Sequence, residues 1–76
     1  MTIHFAYYID GQDCEAIRVH KTELAAEEGR LDDMLATARD CGIKNPQLMD
    51  PADLWLELVE DHHIRISDVM RVKVRA

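Results

Sequence analysis

The chain has little of what catalysis, secretion and nucleic-acid binding rely on. Aromatic residues fill 5% of its 76 positions, as one Trp, two Tyr and one Phe, and Ser67 is the single serine. Nothing around Ser67 resembles the G-x-S-x-G turn that exposes a nucleophile. Glycines stand alone at 11, 29 and 42, so no glycine-rich loop can cradle a phosphate. Cys14 and Cys41, 27 residues apart, make neither a C-x-x-C pair nor a disulfide framework. They are expected as reduced, half-buried thiols rather than zinc ligands. The longest apolar run, Phe5–Ile9, is five residues, far short of the about 20 that cross a bilayer as a helix. The opening Met1-Thr-Ile-His-Phe-Ala lacks the basic-then-apolar layout of a secretion signal, and a cytoplasmic location is expected. Lys and Arg number 9 against 15 Asp and Glu, a net charge of -6. That balance repels phosphate, so direct nucleic-acid binding is not expected.

What is present reads as one small α+β domain over residues 1–76. Ile3, Phe5, Tyr7 and Ile9 alternate in a β-branched and aromatic run, which predicts a strand over 3–9. Asp10-Gly11-Gln12-Asp13 is a turn signal, and 14–20 is the return strand. Bringing Ile17 and Val19 to the face of Phe5 and Tyr7 requires an odd loop, expected at three residues. Thr22 is a fitting N-cap for a helix whose apolar stripe is Leu24, Leu31, Leu35 and Ala38. Gly29 is a possible break in that helix, and Cys41-Gly42-Ile43 is a stop signal. In Met49-Asp50-Pro51-Ala52-Asp53-Leu54, Asp50 caps a second helix, Pro51 takes its first position, and Met49 and Leu54 are placed for a hydrophobic staple. That helix should end near Asp61 or His63. Residues 64–68 read as loop or a short extended piece. Residues 69–75 alternate and predict a strand with Met70, Val72 and Val74 inward and Arg71, Lys73 and Arg75 outward. The expected fold is two-layered: a three-stranded antiparallel sheet, helices on one face, order ββααβ, with the first strand in the middle.

The charge divides unevenly. Residues 22–68 balance to −8, and the strands with their flanks to +2. On the second helix, Leu54, Trp55, Leu56, Leu58 and Val59 fill a wide apolar arc. Asp53, Glu57, Glu60 and Asp61 share the remaining side, and no Lys or Arg on that helix offsets them. Like charges three and four residues apart cost about 0.2–0.5 kcal/mol per pair. A solvated face that keeps an acidic protein soluble explains the stripe without a partner. A docking surface for a basic partner explains it with one. Arg18, Arg71, Lys73 and Arg75 are expected on the outer sheet face, where alternating cations protect an edge from aggregation. His62 and His63 point about 100° apart on a helix and cannot chelate together from one turn. His62 and Trp55 fall in the apolar arc and read as core. No cofactor, no metal site and no catalytic residue is expected.

A very short, acidic ββααβ domain with an unpaired carboxylate stripe resembles the small inhibitor proteins of phages and mobile elements, the anti-CRISPR proteins in particular. The resemblance lies in size, charge and layout across the whole chain, with no shared motif. It implies a non-enzymatic inhibitor that sets carboxylates against a basic surface of a CRISPR effector subunit. The residues it points to are Asp53, Glu57, Glu60 and Asp61, with Asp32, Asp33, Glu27 and Glu28 in support. A monomer or weak homodimer with no membrane contact is expected. A small adaptor, an antitoxin, or a nucleic-acid module using the basic sheet face are the alternatives.

Overall fold

The apolar first strand takes the centre of the sheet because it alone has partners on both edges. In the computed structural model, which describes residues 2–11 and 15–74, β1 (Thr2–Asp10) pairs antiparallel with β2 (Glu15–His20) on one side. On the other side it pairs with β3 (Arg65–Ile66) and then β4 (Met70–Val74). Two helices, α1 (Glu23–Asp40) and α2 (Pro51–Asp61), separated by a single 3-10 turn at Pro46–Leu48, fill the middle of the chain. The architecture is α+β with a four-stranded antiparallel sheet among the described residues. It differs from the expected three strands by β3, which occupies the segment 64–68 read as loop or extended.

The helices begin and end where the sequence predicts. The Thr22 hydroxyl accepts from the backbone N–H of Ala25 at 3.1 Å. At the other end Gly42 adopts a left-handed φ of 83°. Its N–H donates to the Arg39 carbonyl, and the Ile43 N–H donates to that of Ala38. This pair of bonds is a Schellman motif, which satisfies carbonyls that the helix leaves without partners. The Asp50 carboxylate accepts from the Ala52 N–H at 2.9 Å. Leu54 is fully buried, and Met49 packs on the cluster that contains it, as a staple requires.

The faces differ from expectation in three places. In the hairpin, Tyr7 lies opposite Arg18, Phe5 opposite His20 and Ile9 opposite Ala16. Four residues therefore separate the paired Asp10 and Glu15, three of them, including Cys14, outside the described residues. An even count sends Ile17 and Val19 to the face of Ala6 and Tyr8, away from Phe5 and Tyr7. In β4, Met70 lies opposite Ala6, Val72 opposite His4 and Val74 opposite Thr2. These side chains face away from the helices, while Arg71 and Lys73 lie on the helix side. Arg18 lies on the helix side too, so the expected basic outer face is instead apolar. Arg75 lies outside the described residues.

The third difference is in α1, which runs unbroken through Gly29 and buries Ala26, Met34 and Ala38. Leu24, first in the expected stripe, is 69% exposed, and Leu31 and Leu35 are half-buried. The physical reason is the surface that α1 meets. A Cβ at position 29 would sit 2.9 Å from the His20 ring and 3.2 Å from the Tyr7 hydroxyl. Small residues are therefore needed where the helix crosses these rings, and the buried face rotates toward them.

The core lies where both helices meet the C-terminal end of β1. Ile9, Met34, Ala38, Leu54, Leu58, Ile64 and Ile66 form it. Trp55 fastens α2 to this end of the sheet: its indole N–H donates to the Ile66 carbonyl at 3.0 Å. It is half-buried and packed on the core. β4 lies along the opposite half of β1, beyond the main helix contacts, and the molecule is long and thin at 42 × 23 × 16 Å.

Candidate docking surface

The four carboxylates of α2 come together. Asp53, Glu57, Glu60 and Asp61 line one shallow groove of about 290 Å³ with Met49 and Leu56. Asp53, Glu60 and Asp61 are exposed and Glu57 is half-buried. None of the four joins an ion pair among the described residues, where the pairs are Arg18–Asp33 and Arg30–Asp68. Successive turns of one helix set these acids at spacings of three and four residues, close enough to repel. The helix tolerates this because its opposite side is anchored by the fully buried Leu54 and Leu58.

The groove is not purely acidic. Leu56, expected in the buried arc, is 46% exposed. Leu48, on the preceding 3-10 turn, is 80% exposed. The flank thus offers apolar side chains beside its carboxylates. Sequence periodicity misses Leu56 because five apolar residues in eight positions make an arc wider than the core can cover.

The supporting acids separate. Glu27 and Glu28 are exposed beside a different groove, of about 240 Å³, bounded by Arg30, Leu31, Met34 and Pro51. Asp32 is exposed on α1. Asp33 is committed inside the molecule: it accepts a 2.6 Å hydrogen bond from the Tyr7 hydroxyl and faces Arg18 Nε at 3.5 Å. Asp33 is therefore a structural carboxylate that joins α1 to the sheet.

Around Asp33 lies a polar nest that the sequence does not announce. Tyr7 is 2% exposed, and its ring stacks on His20 with centroids 5.8 Å apart. Burial, and then the hydrogen bond and charge of Asp33, push the Tyr7 phenol well above its ordinary value near 10. The parity of the hairpin register creates this grouping, since it places His20 and Arg18 on the face of Tyr7.

Cys41 is a free, half-buried thiol, raised by burial and then by Asp40. The C-cap position of His62 and the left-handed φ of 57° at His63 place the two histidines at the helix end. Among the described residues no cluster of three or more His, Cys, Asp or Glu is arranged to hold a metal ion. Nor is any helix among them long and apolar enough to cross a membrane. No family model, curated protein or solved structure matches the chain.

Proposed function

We propose that the protein is a non-enzymatic binding protein that sets the acidic flank of α2 against a basic protein surface built for nucleic acid. An inhibitor docking on a CRISPR effector subunit is the concrete form of this reading. The observation that carries it is the convergence of Asp53, Glu57, Glu60 and Asp61 on one groove without an ion pair among the described residues. Carboxylates left in water retain their charge for a partner's Lys and Arg, which steer and orient the encounter. Met49 and Leu56 supply apolar contact beside them, so affinity does not rest on charge alone. Asp33 has no part in this surface, because Tyr7 and Arg18 occupy it.

For the alternative of a nucleic-acid platform on the basic sheet face, Arg18, Arg71 and Lys73 share the helix side of the sheet rather than its outer side. An antitoxin would use the same α2 flank against a different basic target, and an adaptor would pair through its sheet edge or Trp55 with little dependence on salt. The test is competition: the protein should displace DNA from a purified effector complex, and less so as salt rises. The double variant Asp53→Lys, Glu57→Lys should lose that competition. Equal displacement by the variant and the parent would remove the reading.

A further inference from the structure

The outer face of the sheet is uncovered and largely apolar, with Thr2, His4 and Tyr8 as its polar members along β1. Ile17 is 70% exposed, Val19 52%, Met70 49% and Val74 38%. The pairing register places all four on one face with Val72 and Ala6. Both helices lie on the other side, because Ile9 and Ile66 point into the core shared with Leu54 and Met34. We propose that a second copy of this chain covers this face, giving a symmetric dimer in which two sheets stack.

Three observations select a second copy. The first is charge. The chain carries -6 overall, yet between Thr2 and Tyr8 on β1, and at Ile17, Val19, Met70, Val72 and Val74 beside it, the outer face holds no Asp, Glu, Lys or Arg. Charged residues return only at one end, where Arg65, Asp10 and Glu15 lie side by side. Two acidic molecules can meet here without opposing their carboxylates, and a partner recognised by charge finds nothing to grip.

The second observation is area. At a rise of about 3.3 Å and a strand spacing of about 4.8 Å, the sheet covers roughly 350 Å², or on the order of 500 Å² of accessible surface with side-chain relief. Two copies then bury about 1,000 Å², the threshold for a specific interface. The third is relief. Ala6 is 3% exposed although it faces outward, because it lies between Val19 and Met70. The centre of the face is a dimple rimmed by larger side chains, which a rim side chain of a facing sheet can enter at the about 10 Å spacing of stacked sheets. In such a dimer both α2 flanks stay exposed, so this inference stands or falls independently of the docking reading.

Sedimentation equilibrium of the full chain tests it. At about 10–100 μM, which populates a dimer whose dissociation constant is about 10 μM or lower, the mass should approach twice 8.8 kDa. Added salt should strengthen the dimer by screening the repulsion between two acidic copies. Ile17→Lys with Val19→Lys should raise the dissociation constant at least about 30-fold. Leu48→Lys, at a more exposed position on the 3-10 turn and off the face, should leave it unchanged. Amide and methyl NMR spectra of the parent chain on dilution need no variant: signals of Ile17, Val19, Met70 and Val74 should move while those of Leu48 and Leu56 stay. A monomer throughout this range overturns the proposal, as does a dimer indifferent to the lysines or one whose shifts fall on other residues. A monomer that instead cosediments with phosphatidylcholine vesicles overturns it in favour of a lipid surface.

Discussion

Tyr8 and Ser67, 59 positions apart in the chain, exchange two hydrogen bonds: the Tyr8 N–H donates to the Ser67 hydroxyl at 2.8 Å, and the Ser67 N–H donates to the Tyr8 carbonyl at 2.9 Å. This contact lies between the two stretches of chain that share one edge of β1. From Ile9 to Ala6 is three steps, while from the partner Ile66 to the partner Met70 is four. One extra residue on the outer strand is a β-bulge, and the Ser67 hydroxyl supplies an acceptor inside it. The consequence is a change of face. Without the extra residue Met70 would fall opposite Phe5, on the helix side. With it, Met70, Val72 and Val74 turn outward.

Ser67→Ala should therefore cost about 1–2 kcal/mol, because it leaves the Tyr8 N–H without its acceptor in a partly buried place. Urea unfolding monitored by circular dichroism measures it. A change within a few tenths of a kcal/mol would mean that the hydroxyl does not hold the bulge.

Gly29→Ala should destabilise the protein, against the gain of up to about 1 kcal/mol that a helix interior ordinarily grants this change. The new methyl would meet the His20 ring at 2.9 Å, and overpacking of this kind costs about 1–3 kcal/mol. In a His20→Ala background much of the obstruction is gone. The same substitution should there turn neutral or stabilising in a double-mutant cycle.

Stability should fall at high pH. The Tyr7 phenol is raised in the folded state by burial, and then by Asp33, so above the ordinary value near 10 the unfolded chain releases a proton that the folded one retains. The stabilisation is fully present below pH 10 and is lost as pH climbs from there toward the folded-state value. Tyr7→Phe should flatten this slope in unfolding curves taken from pH 8 to 11. The Tyr8 phenol is raised as well, chiefly by desolvation and then by Asp10, so part of the slope should remain. An unchanged slope in Tyr7→Phe would refute the assignment.

Charge reversal on α2 should separate stability from binding. Glu57 lies three or four residues from Asp53, Glu60 and Asp61, so Glu57→Lys replaces repulsion with attraction at each spacing. The helix should gain a few tenths of a kcal/mol per pair at low salt. Thermal unfolding at low and high ionic strength reads this gain. The same variant should lose affinity for the basic partner proposed above, so a rise in stability with a fall in binding would mark a flank kept acidic at the expense of the fold.

Leu58→Ala should cost about 2–5 kcal/mol, a large share of the roughly 5–15 kcal/mol that holds a domain folded. Leu58 is fully buried in a core of few residues, and circular dichroism melts of the variant should show the loss directly. A cost below about 1 kcal/mol would mean that the helices are held mainly by other contacts.

Much of this architecture is legible along the chain because its causes are short-ranged. Thr22 reaches Ala25, Asp50 reaches Ala52, and Gly42 and Ile43 close on Arg39 and Ala38. Each signal acts within about five residues, so the helix ends and the clustering of the α2 carboxylates can be read before any fold is known. The alternation from Met70 to Val74 is equally plain, but alternation says which residues share a face and never which face that is. That decision rests on parity: the residue count in the hairpin and the extra residue at Ser67, each of which inverts a whole strand. Parity follows from pairings across the molecule. Only the folded chain could decide that the outer face is largely apolar, that Arg18 and Asp33 meet on the helix side of the sheet, and that Gly29 makes room for His20.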